Sequence, residues 1–330
     1  MASVPMIELW RGGRLESLHR GHAVIWGEGG IEAAWGDPAT VIFPRSSCKM
    51  IQALPLIESG AAGKAGLSDA QLALACASHN GARVHTDMVS RWLSDLGLAE
   101  RDLRCGTHWP GDIEARDGLI LAHQKPCQIH NNCSGKHAGF LTLAQHLKAG
   151  PEYIDPAHPV QAAVRTAFEE VTGEASPGYG IDGCSAPNFA TTVAGLARAM
   201  TAFARANPDG SLRERAMARL HRAMAAYPEL VAGEGRFCTE LMRAMGGRVA
   251  IKTGAEAVFV AILPDQRLGV ALKIDDGSTR ASEAAITAIL IRLGVLDAGH
   301  PAAARYLSGP LKNWRGMVTG EIRLAAGFPR

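Results

Sequence analysis

The chain has no excess of charge of either sign: its net charge is +2 at pH 7, and no basic run stands out. Nucleic-acid binding therefore lacks the electrostatic footprint it requires. Long hydrophobic runs are also missing. The longest, such as Val258 to Leu263, fall well short of a bilayer span, so no membrane partner is expected. The opening residues, Met1-Ala2-Ser3-Val4-Pro5, are too polar for the apolar core of a secretory signal, and a cytoplasmic location is expected. There is no Cys-x-x-Cys pair among the seven scattered cysteines. That argues against a zinc finger or a thioredoxin-type site, and an odd number in an intracellular chain argues against a disulfide framework. No Gly-x-x-x-x-Gly-Lys-Ser/Thr occurs, and no Gly-x-Gly-x-x-Gly follows a strand, so nothing resembles a phosphate loop. Internal repeats, low-complexity linkers and a clean domain boundary are absent as well.

What is present is a globular chain of 330 residues, 47% hydrophobic and 20% charged, long enough for a sizeable core. Met6 to Trp35 reads as a strand meander with turns at Gly12-Gly13 and Gly29-Gly30, because glycine pairs supply the positive φ of tight hairpins. From Met50 apolar residues recur at helical spacing, and Ala70 to Ala77, Thr86 to Leu96, Gln161 to Val171, Ala190 to Ala206 and Ser211 to Tyr227 continue in that texture. Arg248 to Lys252, Val258 to Leu263 and Leu268 to Ile274 revert to strands, Ser282 to Leu293 is a helix, and Gly320 to Leu324 a last strand. Strands joined by short turns pair antiparallel. The expected fold is α+β: one antiparallel sheet built from both chain ends (about 1–49 and 246–330), covered by helices, with a helical lobe (about 50–245) inserted, all within one catalytic domain.

The chemistry-bearing stretches punctuate this pattern. Pro44-Arg45-Ser46-Ser47-Cys48-Lys49 lies between a strand and an apolar helix. Ser46 and Lys49, three apart, share a helical face, and a lysine with a lowered pKa can take the serine's proton. Read alone, the same residues also suit a helix N-cap and a solvated charge. Lys252-Thr253-Gly254 closes a late strand, in the order serine acyl enzymes use: Ser-x-x-Lys early, Lys-Thr-Gly late. Cys76-Ala77-Ser78-His79-Asn80-Gly81 follows a helical run and suggests a pocket wall or a helix end. His130 to His137 is the densest polar stretch, and Asp182-Gly183-Cys184 is a second polar turn, read as preceding a helix. Cys133 and Lys136 can face one site, although a buried cysteine is more often a small hydrophobe.

Taken together, Arg45-Ser46-Ser47-Cys48-Lys49, Ala77-Ser78-His79-Asn80-Gly81, Asn132-Cys133-Ser134-Gly135-Lys136-His137, Asp182-Gly183-Cys184 and Lys252-Thr253-Gly254-Ala255-Glu256 resemble the blocks of the Rhizobium-type (class 3, asparaginase II family) L-asparaginases. His19-Arg20-Gly21, Trp35-Gly36-Asp37 and Pro228-Glu229-Leu230 extend the resemblance along the chain. It implies a fold similar to serine β-lactamases and glutaminases, hydrolysis of L-asparagine to L-aspartate and ammonia, and a homodimer. On this resemblance Ser46 with Lys49, and Ser78 with Lys252, fall on two catalytic Ser-Lys tandems. Cys133, Lys136 and Cys184 fall on zinc-binding positions, and Arg45, His137 and Asp182 on substrate-binding residues lining the site. Asn80-Gly81-Ala82, Ala257 and Cys48 depart from the family pattern, the first two at the border of the site. Two other readings remain open here: a penicillin-interacting serine acyl enzyme, and a non-catalytic zinc-binding module on the same scaffold.

Overall fold

The computed structural model describes residues 2–330. Val4–Arg11 (β1), Arg14–Gly27 (β2) and Gly30–Trp35 (β3) make the N-terminal meander, and a two-residue strand, Val41–Ile42 (β4), follows. The middle of the chain adds only short pieces: Tyr179–Ile181 (β5), Pro187–Phe189 (β6) and Thr191–Thr192 (β7). The C-terminal part supplies Ala250–Gly254 (β8), Val258–Leu263 (β9), Leu268–Ile274 (β10), Leu311–Lys312 (β11) and Val318–Leu324 (β12). Eight of these form one sheet in the order β11-β12-β1-β2-β10-β9-β8, with β3 also on β2. Every recorded pair in it is antiparallel. The fold is therefore α+β with an antiparallel sheet drawn from both chain ends. Long β2 joins them: its residues Arg14 to Gly21 pair with β1, while Gly21 to Trp26 pair with β10.

The chain divides into two compact units. The sheet unit comprises residues 1–47, 191–204 and 240–330, and the helical unit residues 48–190 and 205–239. Segment 191–204 thus joins the sheet unit, although it lies inside the stretch that the sequence pattern gives to the helical lobe. The reason is local: β7 pairs with β4, and Thr201 on helix Val193–Arg205 donates its hydroxyl to Trp26 O at 2.7 Å. Strands β9 and β10 are buried almost throughout, which explains why they read as continuous apolar runs and not as alternations.

In the helical unit, helix Ser134–His146 is buried along its first eleven residues. Gly135 permits this, because a Cβ there would stand 2.4 Å from Leu74 O. The helix is held to helix Arg83–Asp95 by Trp92 Nε1, which donates to Thr142 Oγ1 at 3.0 Å. One sequence expectation is corrected here. Asp182-Gly183-Cys184-Ser185 does not precede a helix. It is the tip of the β5–β6 hairpin, closed by Ser185 N–H donating to Asp182 O at 2.8 Å. Short strands of three residues carry too little periodicity to be seen beside the alanine-rich helix that follows.

Candidate active site

In the sheet unit, Arg45 and Ser46 open a 3₁₀ turn, Arg45–Cys48, that runs directly into helix Lys49–Gln52. Arg45 has φ +54°, a left-handed conformation that non-glycine residues adopt at a cost of about 1–3 kcal/mol and that clusters at functional sites. The turn is closed by Ser47, whose N–H and hydroxyl both donate to Pro44 O, at 3.2 and 2.7 Å. Strand β8 ends against this turn: a Cβ on Gly254 would stand 2.5 Å from Pro44 O and 3.1 Å from Ser47 N. The Lys-Thr-Gly strand thus packs beside the serine turn, as the motif order predicts. Lys252 is buried, and its Nζ donates to Thr253 O at 2.8 Å. Arg45 also lines a cleft of about 420 Å³ with Phe43, Glu256, Lys273 and Asp275.

In the helical unit, Lys49 is fully buried, with no exposed surface. Its Nζ meets Ala77 O and lies 3.1 Å from Ser78 Oγ. Ser78 is held by its own N–H, which donates to Val231 O at 2.9 Å. The sequence pairs Lys49 with Ser46 along the chain, but the hydroxyl bonded to its Nζ belongs to Ser78. The loop after Ser78 is tied to the other polar block. His79 N–H donates to Asn132 O at 3.2 Å, and His79 Nε2 lies 2.9 Å from Ser134 Oγ.

Cys133, Lys136 and Cys184 come together in this unit. Lys136 Nζ donates to Cys184 Sγ at 3.0 Å. The hydrogen bond from Cys133, with Lys136 beside it, holds the Cys184 thiol well below its ordinary value against the opposing effect of burial. The same hydrogen bond, then burial, pushes Cys133 up to about 12. Burial alone would lower Lys136, but the Cys184 and Cys133 sulfurs outweigh it and hold the ammonium above its usual range. The three therefore form one buried cluster of two sulfurs and an amine nitrogen. Asp182 stands on the same hairpin as Cys184, with Oδ2 3.9 Å from Cys184 Sγ. Among the described residues no group of three or more His, Cys, Asp and Glu is arranged to hold a metal ion.

His137 follows Lys136 in the first turn of its helix. Burial first, then Lys136, keeps its imidazole neutral, well below the usual histidine range. Its Nδ1 lies 2.9 Å from Tyr153 Oη, while its Nε2 is buried without a partner among the described residues. A buried polar group left so costs about 1–3 kcal/mol. The sequence reading missed Tyr153. It is one of the chain's four tyrosines and sits in an irregular loop, with no motif around it to signal a role. Neither Glu256 nor Lys273 was singled out as lining the Arg45 cleft, because strand periodicity gives no sign of which residues flank a cleft.

The chain is thus α+β with an antiparallel sheet, a Lys-Thr-Gly strand beside a serine turn in one unit, and a buried lysine on a serine hydroxyl in the other. The L-asparaginase II family pattern matches residues 7–324, and the chain belongs to that family. It is thereby an amidohydrolase. No curated protein matches it. Solved structures to which it is similar include a β-lactamase from Mycobacterium bovis, at 14% identity and TM-score 0.43, covering 84% of this chain and 95% of that one. Mglu in its native form is similar at 13% identity and TM-score 0.42, over 85% of this chain and 66% of Mglu. A class C β-lactamase is similar at 13% identity and TM-score 0.40, over 84% and 90%. Among the described residues no helix is long and apolar enough to cross a membrane.

Proposed function

We propose that the protein hydrolyses the side-chain amide of L-asparagine to L-aspartate and ammonia through a serine nucleophile served by a lysine. The observation that carries this is the buried Lys49 Nζ, 3.1 Å from Ser78 Oγ, in a chain of the L-asparaginase II family. Ser46 attacks the amide carbon and gives up its proton to neutral Lys49, with the Ser78 hydroxyl as the relay on that lysine. The proton passes on to the leaving nitrogen, which departs as ammonia. Water, activated by the same lysine, then cleaves the ester and restores Ser46. Lys252 keeps positive charge near the serine turn, and neighbouring cations favour the neutral form of a lysine.

Arg45 is suited to the substrate α-carboxylate by its bidentate fork, and Asp182 to the α-ammonium. Charges fixed at the α-carbon measure chain length, since one extra methylene displaces the amide from the nucleophile. L-asparagine should therefore be cleaved far faster than L-glutamine.

Cys133, Lys136 and Cys184 are proposed to hold one zinc ion. The donor set supports this: two sulfurs suit a borderline-soft dication, and Lys136 Nζ already stands 3.0 Å from Cys184 Sγ. Binding would require Lys136 and Cys133 to lose their protons. When bound, the ion would supply positive charge that positions substrate, and the serine–lysine chemistry needs no metal-activated water.

Ammonia release from L-asparagine and L-glutamine, with nitrocefin as a third substrate, tests the reading. Release from L-asparagine alone supports it. Equal kcat/KM for the two amides would remove the chain-length argument, and turnover of nitrocefin alone would favour a penicillin-interacting enzyme.

A further inference from the structure

Two backbone carbonyls of the helical unit, on separate segments, hold the loop that carries Ser78. The Ser78 N–H donates to Val231 O at 2.9 Å, and the next N–H, of His79, donates to Asn132 O at 3.2 Å. Val231 ends the short helix Pro228–Val231, whereas Asn132 lies just ahead of helix Ser134–His146. These supports are far apart in sequence, so the placement of Ser78 depends on what fixes their spacing.

Two buried imidazoles bridge that spacing. The His79 and His85 rings stack with centroids 4.7 Å apart and planes 8° from parallel. The Gly81 N–H donates to His79 Nδ1 at 3.1 Å, so that nitrogen carries no proton and the ring's proton is on Nε2. This Nε2–H donates to Ser134 Oγ at 2.9 Å, and the Ser134 hydroxyl donates in turn to Ile129 O at 2.8 Å. His85 Nε2 lies 2.9 Å from Glu229 O, which can only accept, so His85 also carries its proton on Nε2. One ring is thus tied to the segment of Asn132 and the other to the helix of Val231. Their stacked faces join the two supports of the Ser78 loop.

We propose that His79 and His85 are positioning residues for Ser78: as a stacked pair of Nε2–H imidazoles they clamp together the two segments whose carbonyls hold its loop. The effect on turnover rests on the amide-hydrolase reading, in which Ser78 is the relay on Lys49. The clamp itself rests on the hydrogen bonds and the stack alone.

Amide hydrogen exchange and kinetics of the full-length protein separate the two. His79→Phe keeps a ring on His85 but loses the bond to Ser134, whereas His79→Gln restores an amide donor near the position of Nε2. In His79→Phe the amide of Ser78 should exchange at least about tenfold faster, while that of Val270 in β10 is unchanged. Its kcat for L-asparagine should fall about a hundredfold with KM within about twofold, because a displaced relay costs chemistry and not binding. His79→Gln should return kcat to within about fivefold of wild type. His85→Phe should loosen the same amide, and adding it to His79→Phe should cost little more, since groups that act as a unit are not additive. A Ser78 amide as slow in His79→Phe as in wild type overturns the proposal, as do equal loosening of Val270 or an unchanged kcat in an active enzyme. Should His79→Phe fail to fold, nitrogen-15 spectra of wild type with labelled histidine decide: both rings protonated at Nε2 support the clamp, and either ring protonated at Nδ1 overturns it. If the Ser78 amide loosens as expected but wild type releases no ammonia from L-asparagine, the hydrolase reading fails and the clamp stands.

Discussion

Lys49 Nζ lies 3.1 Å from Ser78 Oγ, and both residues are buried in the helical unit. The two are twenty-nine positions apart in the chain, and the Ala77 carbonyl on the same Nζ fixes the approach. Replacing Lys49 by Met fills the space and removes the proposed base. Such a variant should lose at least about a thousandfold in kcat, as other enzymes do when one member of a catalytic group is deleted. Ser78→Ala should also lower kcat, since it breaks the relay on Lys49. If Ser78→Ala leaves kcat unchanged, the hydrogen bond serves only to hold the lysine.

Gly254 is predicted to be intolerant of even one carbon. Alanine there would place its Cβ 2.5 Å from Pro44 O, so β8 or the serine turn must shift. Overpacking of this kind costs about 1–3 kcal/mol. Gly254→Ala should lower both the denaturant midpoint and kcat, although Lys252 is unchanged. Gly63→Ala is the control: nothing lies within 4 Å of its added Cβ, and it should be neutral or stabilising. Normal stability and turnover in Gly254→Ala would show that the strand does not fix the turn.

Stability should fall on mild acidification. The His79 and His85 rings stack 4.7 Å apart, and burial first, then each other's charge in the case of His79, depresses their pKa values. An unfolded histidine titrates near 6.5, so below that pH the unfolded chain takes up protons that the folded chain refuses. The contribution is complete above about pH 6.5 and is lost as pH drops toward the depressed folded values, at up to about 1.4 kcal/mol per pH unit for each ring. Urea midpoints at pH 8, 6.5 and 5 check this. A midpoint that is flat from pH 8 to 5 would contradict it.

Zinc affinity, if the Cys133–Lys136–Cys184 cluster is the metal site, should fall steeply as pH drops, because Cys133 and Lys136 must both give up protons held above their ordinary range. Stripping the metal should raise KM more than it lowers kcat, the pattern of lost binding. Elemental analysis of protein purified without chelator, beside Cys133→Ser and Cys184→Ser, gives the stoichiometry. A value near zero at mildly alkaline pH with zinc supplied would remove the site, and a collapse of kcat at constant KM would reverse its role.

Much of the fold was legible because periodicity is a local property. The β1–β3 meander, the β9–β10 hairpin and helix Pro159–Thr172 stand close to where alternation and helical spacing put them. The pairing of β12 with β1 follows from the expected single sheet, but its register, Ile7 opposite Leu324, does not. Short strands β5 to β7 were lost in the alanine-rich texture around them. At the site the motif blocks were visible, yet their partnerships were not. That Lys49 would meet Ser78, that Cys184 would meet Lys136, and that Tyr153 would meet His137 are all matters of tertiary packing, for which no spacing rule exists.

The most direct test of the account is steady-state ammonia release from L-asparagine by wild type and by Ser46→Ala, with folding of the variant confirmed by its circular dichroism. The account predicts turnover in wild type and at least about a thousandfold loss of kcat in the variant. Near-normal turnover by Ser46→Ala would contradict the assignment of the nucleophile and pass that role to Ser78, and no turnover by wild type would contradict the function itself.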